Sequence, residues 1–147
     1  MIKQKLYSTA ELGEAGKFGM VKAPFPFVMY LMGDKSQPCR TFYGSEKIVE
    51  SVIDAFQEIL ETYGIEYIKK NGLDNYGGCY NYRKSRGYDD LSDHAWAVAI
   101  DYLPHLGQLG KKSEIPPVIV DIFKKRGFIW GGDWKRTDAM HFSARRQ

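Results

Sequence analysis

A helical repeat of apolar residues between positions 46 and 63 constrains the fold more than any other feature of the sequence. Eight side chains recur there every three or four positions: Ile48, Val49, Val52, Ile53, Phe56, Ile59, Leu60 and Tyr63. This spacing predicts one helix whose single apolar face must be buried. Ser45 is the predicted N-cap, and Gly64 stands where a helix commonly ends on a residue with positive φ. The helix is therefore predicted to form the main wall of a hydrophobic core.

A second, shorter helix is predicted towards the carboxyl end of the chain. It begins at Pro116 or Pro117, because proline is tolerated in the first turn of a helix. Its apolar residues continue to Arg126, and Gly127 ends it.

Short apolar runs elsewhere predict strands. Residues 65–68, 95–100 and 128–130 are apolar, compact and too short for long helices, so each is predicted to be a strand. Residues 71–78 are rich in turn-forming residues, and residues 80–88 predict a polar, aromatic loop or strand end.

Prolines and glycines limit what the first third of the chain can form. Pro24 and Pro26 confine the apolar run 25–32 to an edge strand or an extended arm, because proline has no N–H to donate to a sheet. Glycines at positions 13, 16 and 19 interrupt any helix before it. Residues 1–20 are therefore predicted to be an irregular N-terminal arm.

The length and order of these elements predict a single domain. A chain of 147 residues can bury roughly 68–70% of the surface that its unfolded form exposes. It therefore needs no disulfide or metal merely to fold, and Cys39 and Cys79 are predicted to be unpaired thiols. A long helix followed by short strands predicts one α+β domain over residues 1–147, with a small, mainly antiparallel sheet packed against helices.

Charge and hydropathy argue against two classes of partner. The net charge is +3, and the basic residues are scattered apart from a short pair, Arg145 and Arg146. Because clustered basic residues are the usual footprint of nucleic-acid binding, no nucleic-acid partner is predicted. No stretch approaches the ~18 apolar residues of a membrane span, so no membrane insertion is predicted either.

Two of the three histidines lie in segments that are rich in carboxylates. His94 and Asp101 belong to the segment 91–101, and His141 belongs to the segment 131–142. Zinc binds neutral imidazole nitrogen and carboxylate oxygen, and a catalytic zinc typically keeps three protein ligands with one open position. Two histidines and one aspartate meet that need.

The spacing of these residues adds a structural condition. His94 and Asp101 are seven positions apart, so a regular strand would point them to opposite faces. His94 must therefore lie in a loop before the strand, or the strand must bulge. Asp138 and His141 are three positions apart, which places both on one side of a helical turn. A carboxylate at Asp138 is then well placed to take a proton from an attacking water.

These two segments carry a family resemblance. The first follows the order Ser92, His94, Ala97, Ala99 and Asp101, and the second follows the order Asp138, His141 and Phe142. They resemble the signature S-x-H-x-x-G-x-A-x-D, followed downstream by an acidic residue, two spacers and His, of the zinc D-Ala-D-Ala carboxypeptidase and L-alanyl-D-glutamate endopeptidase family. That family includes the vancomycin-resistance D,D-peptidases and many phage endolysins. The flanking segments 77–83 and 128–134 are similar as well, so the resemblance spans residues 20–143.

The resemblance implies a role for each matching residue. His94, Asp101 and His141 fall on the ligands of one zinc ion per chain. Asp138 falls on the catalytic base, and Arg83 falls on the arginine that stabilises charge on the attacked carbonyl or holds a substrate carboxylate.

The resemblance also implies the surroundings of the site. Trp134 would flank the substrate groove, Ser92 would form a hydrogen bond near the metal, and Tyr82 completes the predicted substrate-binding set. Simpler roles stay open for two other residues. Asp138 could cap the turn that contains His141, and Arg83 could pair with a nearby surface aspartate.

The activity implied is cleavage of a peptide bond in peptidoglycan stem peptides, either L-Ala–D-Glu or D-Ala–D-Ala, by a monomer. The N-terminal sequence lacks the apolar core of a signal peptide. The protein is therefore predicted to be made in the cytoplasm and to act at the cell wall or in the periplasm, after release by a phage holin or as part of a virion.

One departure from the family signature supports a second hypothesis. Ala97 replaces the usual glycine, which would be harmless at negative φ but could crowd the turn that brings His94 and Asp101 together. The alternative is a non-catalytic, zinc-containing wall-binding or virion structural module. A hydrolase of other small peptides is a third possibility. Asp93 is predicted to be a capping or solvated residue.

Overall fold

The computed structural model describes residues 1–85 and 87–147. They form a single α+β domain with a six-stranded, mostly antiparallel sheet and four α-helices, as the sequence predicts. The strands are β1 (Met20–Leu31), β2 (Pro38–Ser45), β3 (Asn75–Gly78), β4 (Ala99–Tyr102), β5 (Ile129–Trp130) and β6 (His141–Ser143). The helices are α1 (Thr9–Leu12), α2 (Val49–Tyr63), α3 (Ile65–Lys70) and α4 (Pro117–Lys124). The strand order across the sheet is β2-β1-β3-β4-β6-β5.

Helix α2 covers one face of this sheet. Five of its residues are buried: Ser51, Val52, Ala55, Phe56 and Ile59. Phe56 makes edge-to-face contacts with rings from strands β1 and β4 and from helix α4. Burial of a side chain of this size contributes about 1.5–3 kcal/mol. None of the helices in the described part of the chain is long and apolar enough to cross a bilayer.

The bounds of the two main helices follow the sequence with small shifts. Helix α2 begins three residues later than predicted, because residues 46–48 form turns and Ile48 is the N-cap. Ser45 is therefore not the cap, although its hydroxyl accepts a hydrogen bond from the Lys47 amide at 3.1 Å. Gly64 ends the helix with φ +78°, as expected. Helix α4 starts at Pro117, and its start matches the prediction.

The prediction that residues 25–32 form an edge strand or arm is wrong. Strand β1 pairs with β2 on one side and, through Tyr30 and Leu31, with β3 on the other. The prolines are accommodated because the pairing of β1 with β2 shifts register between Pro24 and Met29. The pairing with β3 begins only after both prolines, so neither proline removes a hydrogen bond from that ladder.

One prediction between residues 65 and 78 is wrong, and another holds in part. Residues 65–68, predicted as a strand, belong to helix α3, where only Ile68 is buried. The segment 71–78, predicted as turn-rich, forms turns over residues 71–74 and strand β3 after them. A short apolar run has no period that separates a helix from a strand.

Residues 95–100 do not form the single strand that the sequence predicts. Asp93–Trp96 form a 3₁₀ helix, and strand β4 begins only at Ala99. Strand β5 at Ile129–Trp130 agrees with the predicted strand 128–130 to within a residue. Both cysteines are free thiols, as predicted.

The N-terminal segment before β1 packs on the domain. Ser8 and Glu11 form a capping box at the four-residue helix α1. The Tyr7 amide donates to the Ala144 carbonyl at 2.7 Å, and the Gly16 amide donates to the Ala95 carbonyl at 2.9 Å. Trp96 reaches back to the same segment, where its indole N–H donates to the Gly13 carbonyl at 2.9 Å.

Candidate metal centre

Strand register brings two of the predicted ligands together. Asp101 of β4 is the direct antiparallel partner of His141 of β6, and Ile100 is the partner of Phe142. Because side chains alternate along a strand, Ile100 and Phe142 enter the core while Asp101 and His141 share the opposite face. Cross-strand partners of this kind have Cβ atoms about 4.5–5.5 Å apart. Nδ1 of His141 is 3.6 Å from Oδ1 of Asp101.

His94 reaches the same point from the 3₁₀ helix before β4. The Ser92 hydroxyl caps this helix by accepting a hydrogen bond from the His94 amide at 3.4 Å. Ala97 then turns the chain with φ +56° and ψ +30°, the left-handed conformation. Nε2 of His94 is consequently 3.1 Å from Oδ1 of Asp101. His94 therefore lies before the strand, which is one of the two arrangements that its spacing from Asp101 requires. The φ of Ala97 is positive, so alanine does not have the negative φ at which it would fit this turn without strain.

The hydrogen bonds of the two histidines leave one nitrogen of each ring for a metal. Nδ1–H of His94 donates to the Cys79 carbonyl at 2.7 Å, which leaves Nε2 as its free donor atom. Nε2–H of His141 donates to the Asp93 carboxylate at 3.0 Å, which leaves Nδ1. Partners of this type fix the tautomer and the ring orientation of metal-binding histidines.

Electrostatics in the site favour a cation. Burial raises the pKa of Asp101, but the charge of His94 and hydrogen bonds from both histidines outweigh it and hold that pKa well below the usual range. Burial lowers the pKa of His141, but hydrogen bonds to Asp101 and Asp93 outweigh it and raise the pKa to about 9. The two carboxylates therefore attract positive charge at this point, and a metal ion that binds there displaces the proton of His141.

The donor set fits zinc. One ligand atom from each of His94, Asp101 and His141 lies within 4.8 Å of the other two. Two imidazole nitrogens and a carboxylate oxygen are ligands that zinc prefers, and three protein ligands leave a position open for chemistry. The histidines are 3% and 4% exposed. The two histidines are thus buried, and Asp101 and His141 line a cleft.

Asp138 lies at this cleft, in the turn that leads to His141. The His141 amide donates to the Asp138 carbonyl at 3.1 Å, which closes the turn that their spacing predicts. Burial raises the pKa of the Asp138 carboxyl, His141 lowers it and Asp101 raises it further, so the net shift is upwards. A raised pKa suits a group that must accept a proton and later release it.

Gly131 supports this turn by its lack of a side chain. The Asp138 amide donates to the Gly131 carbonyl at 2.9 Å. A Cβ at Gly131 would be 2.2 Å from the Asp138 carbonyl oxygen and 3.1 Å from Cβ of His141. Gly77 of β3 leaves room for Asp101 in the same way, since a Cβ at position 77 would lie 2.7 Å from the Asp101 Cβ. Only glycine permits such a close approach.

The cleft has a volume of about 610 Å³. Arg83, Ser92 and Trp134 line it beside the candidate metal site. The Trp134 ring is 5.1 Å from the His141 ring, centroid to centroid. Tyr82 is 59% exposed and lies outside the residues that line the cleft. Ser92 is only 5% exposed, and its hydroxyl accepts a hydrogen bond from the His94 amide, so it supports His94.

Asp93 is not the capping or solvated residue that the sequence predicts. It is 5% exposed and accepts hydrogen bonds from His141 and from Arg145. Carboxylates commonly hold the second nitrogen of a metal-binding histidine, but the sequence gives no signal for this contact, because Asp93 holds the ring of the distant His141. Gly131 gives no signal either, since its role depends on a turn that only the folded chain brings beside it.

The comparisons with known proteins agree with this geometry over part of the chain. Residues 86–144 match the family model described as D-alanyl-D-alanine carboxypeptidase. The matched segment is less than half of the chain, but it contains His94, Asp101, Asp138 and His141. Arg83 lies just outside it. Neither the curated proteins nor the solved structures yield a significant match to this chain.

The matched family is one of peptidases, which suggests peptidase chemistry for this segment. Members of that family depend on zinc, and the three residues that could hold a metal here lie inside the matched segment. The donor set and the family match therefore both indicate a zinc site at these residues.

Proposed function

We propose that this chain is a zinc-dependent peptidase that cleaves peptide bonds in peptidoglycan stem peptides. The observation that carries the proposal is the approach of Nε2 of His94, Nδ1 of His141 and the Asp101 carboxylate to one another beside a cleft that contains Asp138. A zinc ion held there supplies Lewis-acid activation of water and of a peptide carbonyl.

The residues of the chain supply the proton transfers. Asp138 takes a proton from the water that attacks the carbonyl carbon, and it gives that proton to the amine nitrogen as the C–N bond breaks. Its raised pKa makes the carboxylate a stronger base for the first of these transfers. Proton transfer by a positioned group typically contributes ~10²–10⁴ in rate.

Arg83 is proposed to stabilise the negative charge that develops on the attacked carbonyl oxygen. It lines the same cleft as Asp138, and its charge lowers the pKa of Asp138, so the guanidinium acts on the reacting region. A planar group with five donors suits either an oxyanion or a substrate carboxylate. A hydrogen bond to the Lys84 carbonyl at 3.1 Å engages one of those donors.

The cleft suits a short peptide that carries both charged and apolar groups. Arg83, Lys135 and Arg136 line it, as do several aspartates, together with apolar surface from Trp134 and Met140. Its volume of about 610 Å³ falls in the usual range for small-ligand sites, ~300–1,000 Å³. Stem peptides carry free carboxylates and small apolar side chains, which this combination would recognise.

The proposal extends to the biological setting. The bond is L-Ala–D-Glu or D-Ala–D-Ala, and the protein acts at the cell wall as a monomeric phage lysis or virion-associated enzyme. The sequence motifs and their flanks support this setting, since they resemble those of phage endolysins.

The decisive experiment is mass spectrometry of purified peptidoglycan after incubation with the zinc-loaded protein. Wild type should create new stem-peptide termini, and their masses would name the bond. Asp138→Asn should lose them, whereas Asp133→Asn, which alters an exposed carboxylate paired with Lys124, should not. No new termini from a wild-type protein that holds zinc would contradict the proposal.

The same experiment tests the alternative of a non-catalytic wall-binding or virion module. Ala97 in place of the family's glycine is the feature that favours this alternative. A protein that sediments with peptidoglycan and leaves it uncut would support it. Asp138 in the cleft counts against it, because a binding module has no use for a base. Cleavage of unrelated short peptides but not of peptidoglycan would indicate a different substrate.

A further inference from the structure

The proposed chemistry leaves the buried carboxylate of Asp93 without a role. Asp93 lies in the 3₁₀ helix next to the candidate ligand His94, and it is 5% exposed. Its Oδ2 accepts the Nε2–H of His141 at 3.0 Å, and its Oδ1 accepts a hydrogen bond from Arg145 at 2.9 Å. We propose that Asp93 is a positioning residue that makes His141 present Nδ1, rather than Nε2, to the metal. The inference rests on the proposed function.

A neutral imidazole has two different ring nitrogens. One carries the proton and the other carries the lone pair, and either can bind a metal. The Asp93 carboxylate can only accept hydrogen bonds: its Oδ2 faces Nε2 of His141 at 3.0 Å, and its Oδ1 accepts from Arg145 at 2.9 Å. It therefore fixes the proton on Nε2. The lone pair of Nδ1 then faces Asp101, whose Oδ1 is 3.6 Å away.

Asp93 is itself held in place by Arg145. The guanidinium donates to Oδ1 of Asp93 at 2.9 Å and to the Thr9 hydroxyl at 3.0 Å. It also lies 4.7 Å from the centre of the Trp96 ring. Helix α1 is thus connected through Arg145 and Asp93 to His141. The position of one candidate ligand depends on residues from both ends of the chain.

Asparagine at position 93 would keep the size of the side chain and lose this function. An amide has one acceptor oxygen and one donor group, so it cannot accept from both neighbours. If the oxygen faces Arg145, the amide N–H₂ faces His141 and moves the ring proton to Nδ1, where it blocks the metal. If the oxygen faces His141, the N–H₂ opposes the guanidinium of Arg145. Either arrangement leaves one contact mismatched.

The first test is zinc affinity, measured by competition with a chelator at fixed pH for wild type, Asp93→Asn and Asp133→Asn. Loss of an outer partner of a ligand typically weakens metal binding ~10- to 100-fold, and that loss is expected for Asp93→Asn. Asp133→Asn removes the same charge from an exposed site and should stay within about twofold of wild type. Melting of the chelator-treated proteins shows that each variant is folded. A folded Asp93→Asn protein with wild-type affinity overturns the inference.

The second test uses only the wild type, so it still tests the inference if Asp93→Asn fails to fold. Nitrogen-15 NMR of the histidine side chains in the zinc-loaded wild type should show His141 with zinc on Nδ1 and a proton on Nε2. His94 should show the reverse. Zinc on Nε2 of His141 overturns the inference and leaves the proposed function intact. A wild type that binds no zinc at this site overturns both.

Discussion

At the scale of single residues, the activity depends on where Asp138 holds its proton. Burial and the nearby charge of Asp101 raise the pKa of its carboxyl, although His141, His94 and Arg83 lower it. The proposed base acts only when it is ionised. A raised pKa therefore means that activity is lost at a higher pH than an ordinary aspartate would give.

The first prediction concerns this pH dependence. Activity per bound zinc should fall as the pH is lowered through the pKa of Asp138, which lies above the ordinary value of 3.8. The measurement is kcat/KM against pH with zinc content determined at each point, so that metal loss is separated from protonation. Asp138→Asn should lower kcat by ~10²–10⁴ above that pKa without losing zinc, and the difference from wild type should shrink below it. Equal activity of this variant and wild type above that pKa would show that Asp138 is not the base.

Ala97 is the second residue whose conformation matters. Its left-handed backbone costs an L-residue roughly 1–2 kcal/mol. Glycine would remove this cost, but it would also lose a buried methyl worth about 0.8 kcal/mol and add about 0.5–1 kcal/mol of backbone entropy. These effects nearly cancel, which explains how the chain tolerates alanine at a position where the family has glycine.

The second prediction follows from that balance. Ala97→Gly should leave the free energy of unfolding, measured by urea denaturation of the metal-free protein, within about 1 kcal/mol of wild type. Ala97→Val should lower it by about 1–3 kcal/mol or more, because the site is fully buried and a β-branched residue is strongly disfavoured at positive φ. An unchanged stability in the valine variant would contradict the left-handed turn.

At the scale of elements, the turn from Gly131 to His141 carries both the base and a ligand. Its shape depends on the amides of Trp134 and Asp138, which donate to the Gly131 carbonyl at 3.2 Å and 2.9 Å. The turn is therefore fixed by backbone contacts rather than by the side chains that perform the chemistry.

The third prediction tests this dependence. Gly131→Ala should weaken zinc binding and lower stability, because its Cβ would lie 2.2 Å from the Asp138 carbonyl oxygen and would displace the turn. The measurements are zinc affinity and thermal melting. Gly64→Ala is the control, since Gly64 has positive φ but open space around it, at the end of α2. It should reduce stability and leave zinc affinity unchanged. Equal effects of both variants on zinc affinity would contradict the account.

The sequence predicts the elements with the clearest local patterns. Helices α2 and α4 follow from apolar periodicity and proline placement, and the motif residues His94, Asp101 and His141 are brought together as their spacing requires. The sequence does not reveal α3, because a run as short as 65–68 fits a helix or a strand equally well. Nor does it place β1 inside the sheet, because the register shift that accommodates its prolines is a tertiary feature. The role of Asp93 is hidden for the same reason.

At the scale of the whole molecule, an ion-pair cluster ties α2 to the chain after α4. Arg126 is 3% exposed and contacts Asp54 at 2.9 Å and Glu58 at 2.8 Å. The Ile2 amide also donates to Asp54, at 2.9 Å. The cluster lies on the helical side of the fold, and the candidate metal centre lies on the opposite face of the sheet.

The fourth prediction is a loss of stability in acid from this cluster. The pKa of Asp54 is lowered by the hydrogen bond from the Ile2 amide and by Arg126, despite its burial. Burial raises the pKa of Glu58, but Lys125 and Arg126 outweigh it and lower that pKa. A lowered pKa stabilises the fold above the unfolded-state value, about 4, and this stability is lost as the pH falls through the folded-state value. Denaturation of the metal-free protein between pH 6 and about pH 3 measures the loss. Glu58→Gln should flatten the curve, and an unchanged curve would contradict the assignment.

The proposed chemistry requires one zinc ion bound between His94, Asp101 and His141, and a crystal structure of the zinc-loaded protein would show whether it is there. Diffraction data collected just above and just below the zinc absorption edge identify the ion by its anomalous signal. The account predicts one zinc peak per chain, about 2.0–2.2 Å from Nε2 of His94, Nδ1 of His141 and a carboxylate oxygen of Asp101. A peak elsewhere, or no peak between these three residues, would contradict it.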